Sequence, residues 1–148
     1  MPKSTSFLVS IFESVSDYML HSYLSVPSSV SISDVSRKML GANVAEALVY
    51  NFEEKPIGII TERDVLYRVV AKGKDPSITK SLEIMSLPIE CVNEDSGIAE
   101  ALLKMHDLKI RRLAVTRDGR IIGLITQDSI CSIVSAKNHF SDPDNDTM

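Results

Sequence analysis

In Gly58-Ile-Ile-Thr61-Glu-Arg63-Asp64-Val-Leu an apolar run empties into a predicted helix whose first turn carries a hydroxyl and, three residues later, a carboxylate. Thr61 as N-cap with Asp64 at the third helical position forms a capping box, each side chain accepting from the other's backbone N–H. Such a cap stabilises a helix by about 0.5–2 kcal/mol. The same groups have a second use. Free N–H groups and the positive dipole end at a helix N-terminus attract phosphate, Thr61 adds a hydroxyl donor, and a carboxylate one turn on accepts both hydroxyls of a ribose. Farther along, Gly123-Leu-Ile-Thr126-Gln-Asp-Ser129 keeps the threonine but has Ser129 where Asp64 stands. Asp128 lies one position earlier, and a one-residue shift turns a helical side chain by about 100°, so Asp128 is expected to face elsewhere.

Other chemistry is hard to assemble. Cys91 and Cys131 stand forty positions apart without a Cys-x-x-Cys or a neighbouring His, which argues against zinc and against a disulfide framework and favours two buried or half-buried thiols in a reducing cytosol. His21, His106 and His139 show no ligand-like spacing and read as exposed or capping residues. No nucleophile elbow, paired carboxylates, metal motif or P-loop occurs, so the chain reads as a non-enzyme. One segment departs from the acidic average. From Lys104 to Arg120, six basic residues (Lys104, Lys109, Arg111, Arg112, Arg117, Arg120) face two acidic ones, in a chain of net charge −4. Such clusters usually form a solvated face, but arginine pairs suit bidentate phosphate contact.

The elements that must position these residues follow from a duplication. At an offset of 66, Met19 falls on Met85, Val26 on Val92, Ile32 on Ile98, Met39 on Met105 and Val49 on Val115. After Val49 the offset is 65, aligning Ile57-Gly58-Ile-Ile-Thr61 with Ile122-Gly123-Leu-Ile-Thr126. The slip falls where the second copy reads Asp118-Gly119, a hairpin-turn signal. Each copy is expected to run β-α-β-β-α. A strand near Val26 or Val92 leads to a helix with Ile32, Val35 and Met39, or Ile98, Leu102 and Met105, at helical spacing. Two strands follow, Ala47 to Tyr50 with Ile57 to Ile60, and Leu113 to Thr116 with Ile121 to Ile125. A second helix then runs from about Glu62 to Lys72, ended by Gly73, and from about Gln127 to Lys137, ended by Asn138. The expectation is an α/β (α+β) fold of tandem repeats with pseudo-two-fold symmetry. Its divisions are an N-terminal extension 1–14, a first repeat 15–73, a linker 74–80, a second repeat 81–138 and an acidic tail 139–148. Length, 148 residues with 44% apolar, supports one globular domain. The apolar stretch Phe7 to Phe12 is too short for a signal-peptide core and is expected to pack on the domain. No run approaches a transmembrane span.

The two copies resemble a pair of cystathionine-β-synthase (CBS) domains, a Bateman module. The resemblance rests on Val15-Ser-Asp17-Tyr-Met19, the helices ending at Met39 and Met105, Lys109-Ile-Arg-Arg-Leu-Ala-Val115, and Gly58-Ile-Ile-Thr61-Glu-Arg-Asp64. It implies a stand-alone regulatory module binding AMP, ADP or ATP, with S-adenosylmethionine or NAD as further candidates, in clefts between the copies, with no required cofactor and no metal. Carried over, Thr61 would meet phosphate and Asp64 the ribose, with Arg63 adjacent. Thr126 matches alone, and Ser129 departs from the pattern. Adenine would lie near Tyr23 to Ser25 and Ile89 to Cys91, and Arg111 and Arg112 would face phosphates. The resemblance further implies a homodimer and a regulated protein partner. A cytoplasmic location, with no membrane contact, is expected.

Two readings of other classes stand beside it: a ligand-free interaction or dimerisation module in which the Thr61–Asp64 pair is only a cap, and a nucleic-acid-associated factor using the Lys104 to Arg120 segment. The second is disfavoured by the acidic balance and by the absence of Trp.

Overall fold

A computed structural model describes residues 12–140, with side chains through 137. Among these residues the chain forms two three-stranded sheets of the same order. In the first, β1 (Ser25–Pro27) lies parallel to β2 (Glu46–Tyr50), which pairs antiparallel with β3 (Pro56–Thr61). In the second, β4 (Cys91–Asn93), β5 (Arg112–Arg117) and β6 (Arg120–Thr126) repeat that arrangement. Both β2–β3 and β5–β6 carry a register irregularity at the same place, Val49/Tyr50 and Val115/Thr116. The second hairpin closes on Asp118 (φ 50°) and Gly119 (φ 75°), the left-handed pair that an Asp-Gly turn supplies.

Helix α1 (Ile32–Ala42) buries Ile32, Val35 and Met39 along one stripe, and the Ser31 hydroxyl accepts from Asp34 N–H at its start. Helix α2 (Glu62–Val65) continues into a π-turn at Leu66–Val70, and α3 (Ser81–Ile84) follows. Helix α4 (Ile98–Leu108) buries Ile98, Ala101 and Met105, while Leu102 packs half-buried at the edge of the core. Helix α5 (Gln127–Phe140) closes the described chain. Two expectations are corrected. The helix drawn from Glu62 to Lys72 is regular α for one turn only and then widens, and α5 runs past Asn138, because asparagine there does not supply a stop.

The compact units interleave with the sequence copies. One unit is Tyr23–Glu90, whose core joins Val26, Ile32, Val35, Met39, Ala47, Val49, Ile60 and Val69 to Ile84 and Met85. The other joins residues 12–22 to residues 91–140, and its core packs Val15, Tyr18 and Met19 with Val92, Ile98, Met105, Leu113, Val115 and Ile125. In each unit a crossing segment bridges the third strand. Ser86 exchanges N–H···O=C bonds with Ile59 (2.8 and 3.2 Å), and Leu20 does so with Leu124 (2.7 and 3.1 Å). Phe12 is exposed; the rest of Phe7 to Phe12, His139 and the tail from Ser141 lie outside the described side chains.

Candidate functional site

At the end of β3, Thr61 caps α2 through a complete box. Its hydroxyl accepts from Asp64 N–H (3.3 Å), and Asp64 Oδ2 accepts from Thr61 N–H (2.9 Å) and from the Thr61 hydroxyl (3.1 Å). Asp64 is 8% exposed, buried for a carboxylate, and its other oxygen is also engaged. Ser86 Oγ donates to Oδ1 (3.0 Å), and Arg68 Nε lies 3.7 Å from the same oxygen. Arg68 in turn donates from Nη1 to the carbonyls of Ile84 (2.8 Å) and Met85 (3.0 Å). The spacing in the sequence shows the Thr61–Asp64 pair but misses Ser86. Arg68, four residues after Asp64, carries the i,i+4 charge signal that could have found it.

At the corresponding end of β6, Thr126 and Ser129 form a neutral version. Ser129 Oγ accepts from Thr126 N–H (3.0 Å) and donates to Thr126 C=O (2.9 Å), while Thr126 Oγ1 accepts from Ser129 N–H (2.9 Å). Both side chains are buried, and Asp128 is exposed. The neighbouring strand also differs. Arg112 pairs with Thr126 in the β5–β6 register, and Gln127 N–H donates to Arg111 C=O, whereas the matching places in the first copy are Glu46 opposite Thr61 and Ala45. The residue opposite the capping threonine is thus a carboxylate in the first copy and a guanidinium in the second.

The other sequence candidates fall apart from these ends or beside them. Tyr23 hydrogen-bonds Tyr50, whose hydroxyl is pushed up to about 12 by burial, with Tyr23 reinforcing. Ser25 and Tyr50 line a shallow cavity of about 460 Å³ with Val26, Pro27, Asn51 and Glu54. A second cavity of about 400 Å³ runs from Met39 and Asn43 to Glu62 and Val65. Arg63 is exposed and stacks on Tyr67, 5.1 Å from the ring centre, rather than turning to Thr61 or Asp64. Ile89 is half-buried next to the start of β4. Cys91 is half-buried with its carbonyl held by Lys104 Nζ (2.5 Å); Cys131 is exposed, a correction, because on α5 it faces away from the core side that Ile130 defines. The basic segment is partly consumed: Arg117 forms a fork with Glu94 (2.6 and 2.7 Å), which lowers the Glu94 pKa. Among the described residues no group of three or more His, Cys, Asp or Glu is placed to hold a metal, and no helix is long and apolar enough to cross a membrane.

A family model described as "CBS domain" matches residues 15–71 and 81–136. The chain belongs to the CBS domain family. An uncharacterised protein of Methanopyrus kandleri is 38% identical over 101 residues, 68% of this chain and 52% of that protein, so the CBS pair spans about half of that relative. A conserved uncharacterised protein of Pyrococcus horikoshii is similar in structure, with TM-score 0.79 and 25% identity, over 83% of this chain and 92% of that one. A CBS domain protein of Pyrobaculum aerophilum, solved in complex with AMP, shares the fold at TM-score 0.73 and 22% identity, over 87% of this chain and 100% of that one.

Proposed function

We propose that this CBS pair is a regulatory module that binds an adenosine-containing nucleotide and passes its occupancy to a partner through conformation or assembly. The observation that carries the reading is the buried Asp64 carboxylate beside the Thr61 hydroxyl. A carboxylate has about four lone-pair positions, and internal donors fill three of them. When the Thr61 hydroxyl turns to a phosphate oxygen, one place opens on Oδ2 and one remains on Oδ1, the number a vicinal ribose diol requires. That a protein of the same fold binds AMP supports the choice of nucleotide.

The capping box also serves a ligand-free interaction module, and the second copy shows what such a cap needs. Thr126 is capped by neutral Ser129 with no charge buried. A buried carboxylate needs partners that a serine does not, and Asp64 draws Ser86 and Arg68 to it, which a cap alone does not require. Self-association, with a homodimer as the expected form, is consistent with exposed Leu66, Tyr67 and Val70.

Thermal denaturation with AMP, ADP, ATP, NAD and S-adenosylmethionine tests the reading. A ligand at about 100 times its Kd contributes about 2.7 kcal/mol, expected to raise the Tm of a chain this size by roughly 5–10 °C. Asp64→Ala is expected to abolish that rise. No movement with any of the five ligands overturns the proposal.

A further inference from the structure

The geometry points to Arg68 and Ser86 as positioning residues that set the Asp64 carboxylate for a vicinal diol, so that preference for ribose over 2′-deoxyribose belongs to three side chains together. The inference rests on the nucleotide reading above. The terminal torsion of an aspartate is broad and nearly two-fold, so a carboxylate fixed at one oxygen still swings. Thr61 fixes Oδ2, which is all a cap requires. Ser86 fixes Oδ1, and Arg68 lies against the same oxygen while its Nη1 is anchored on two carbonyls of the segment leading to Ser86. Arg68 thus ties the π-turn, the crossing segment and the carboxylate into one rigid group. π-Turns inside helices often mark functional positions, and this one contains Arg68.

The second copy is an internal control. Its backbone frame is the same, with Leu20 bridged to Leu124 as Ser86 is bridged to Ile59. Yet all three members change together: Ser129 stands for Asp64, Ile133 for Arg68 and Leu20 for Ser86. There α5 is regular helix, and the Ser129 hydroxyl is satisfied on Thr126. The fold therefore forms without the network, and the network is assigned to the ligand.

Calorimetric titration of AMP and 2′-deoxy-AMP into the full chain tests this. The parent is expected to prefer AMP by roughly tenfold or more, the size of a hydrogen bond to a charged acceptor. Ser86→Ala and Arg68→Ala are expected to bring the ratio of affinities close to one, the loss falling on AMP, and Ser86→Thr, which keeps the hydroxyl, to retain it. Ser86→Ala removes one half-buried hydroxyl and is the variant to rely on if Arg68→Ala unfolds. A purely structural role would weaken both ligands alike; an unchanged ratio, or a parent that binds both equally, overturns the proposal while leaving nucleotide binding intact. A parent that binds none of AMP, ADP, ATP, NAD and S-adenosylmethionine overturns the functional reading and the proposal with it, and one that binds ADP or ATP instead is read by the same ratio against its 2′-deoxy form.

Discussion

Gly58 and Gly123 hold the same place in the two copies, yet a methyl group would meet different obstacles there. A Cβ on Gly123 would sit 2.6 Å from the Leu20 carbonyl oxygen, backbone that is itself locked in the bridge to Leu124. On Gly58 it would meet Met85 Sδ at 2.6 Å and Cγ at 2.8 Å, a flexible thioether able to swing aside. Gly123→Ala is expected to cost about 1–3 kcal/mol, the usual range for overpacking, and Gly58→Ala distinctly less; urea unfolding midpoints of the two variants check the order. The same crossing explains what was legible at this scale. Thr61 and Asp64 are three residues apart, and local spacing is enough to pair them. Ser86 reaches Asp64 only because the chain returns across β3, and its counterpart in the other copy is Leu20, so neither proximity nor the repeat marks it. Arg63, adjacent in sequence, turns to Tyr67 instead.

The helices show the same division between pattern and detail. Ile32, Val35 and Met39 recur at a helical period and all face the core of α1, since burial of one stripe is what the period encodes. The winding after Asp64 is not encoded that way: α2 gives way to a π-turn within a run whose apolar residues look continuous. A separate device joins the opening segment to α5. Lys137 Nζ meets Glu13 Oε2 at 2.5 Å and the Tyr18 hydroxyl at 3.1 Å, and stands 4.8 Å over the Tyr18 ring. The Lys137 ammonium, then Tyr18, holds the Glu13 carboxyl below its ordinary value of 4.5; Glu13, then Tyr18, holds Lys137 above 10.5. A lowered carboxylate contributes stability above its ordinary value and loses it as pH falls through the lowered one. A raised amine contributes below its ordinary value and loses it as pH rises through the raised one. The contact is thus intact at neutral pH and released at acid. With the Lys137 side chain 47% and the Glu13 side chain 27% exposed, solvent screens the pair, and its worth is at most about 1 kcal/mol. Glu13→Gln is expected to flatten the acid limb of the stability curve between pH 7 and 3, measured by denaturant unfolding in low salt.

At the scale of the molecule, the duplication and the α/β order of each copy were readable, because the repeat carries its core positions with it. Which piece completes which core was not, because Val15, Tyr18 and Met19 match Ser81, Ile84 and Met85 equally well on either partner. Tyr18→Ala makes the difference measurable. Tyr18 is fully buried in the core with Leu113, Val115 and Ile125, and truncating a large buried aromatic costs about 3–5 kcal/mol. Hydrogen exchange is expected to quicken in β5 and β6 while β2 and β3, nearer in sequence, keep their protection. Equal loss in both sheets, or loss in β2 and β3 alone, would contradict the assignment of Tyr18 to that core. The crossing of segments also imposes an order on synthesis. Tyr23–Glu90 is one continuous stretch and has every part of its core once Glu90 has left the ribosome. Val15, Tyr18 and Met19 must wait, their side chains unhoused, until β6 and α5 have been made. Closing that long loop is entropically slow, so Val15, Tyr18 and Met19 are translated before the Tyr23–Glu90 unit yet fold after it, and a nascent chain halted near Glu90 presents them to chaperones or to a second chain.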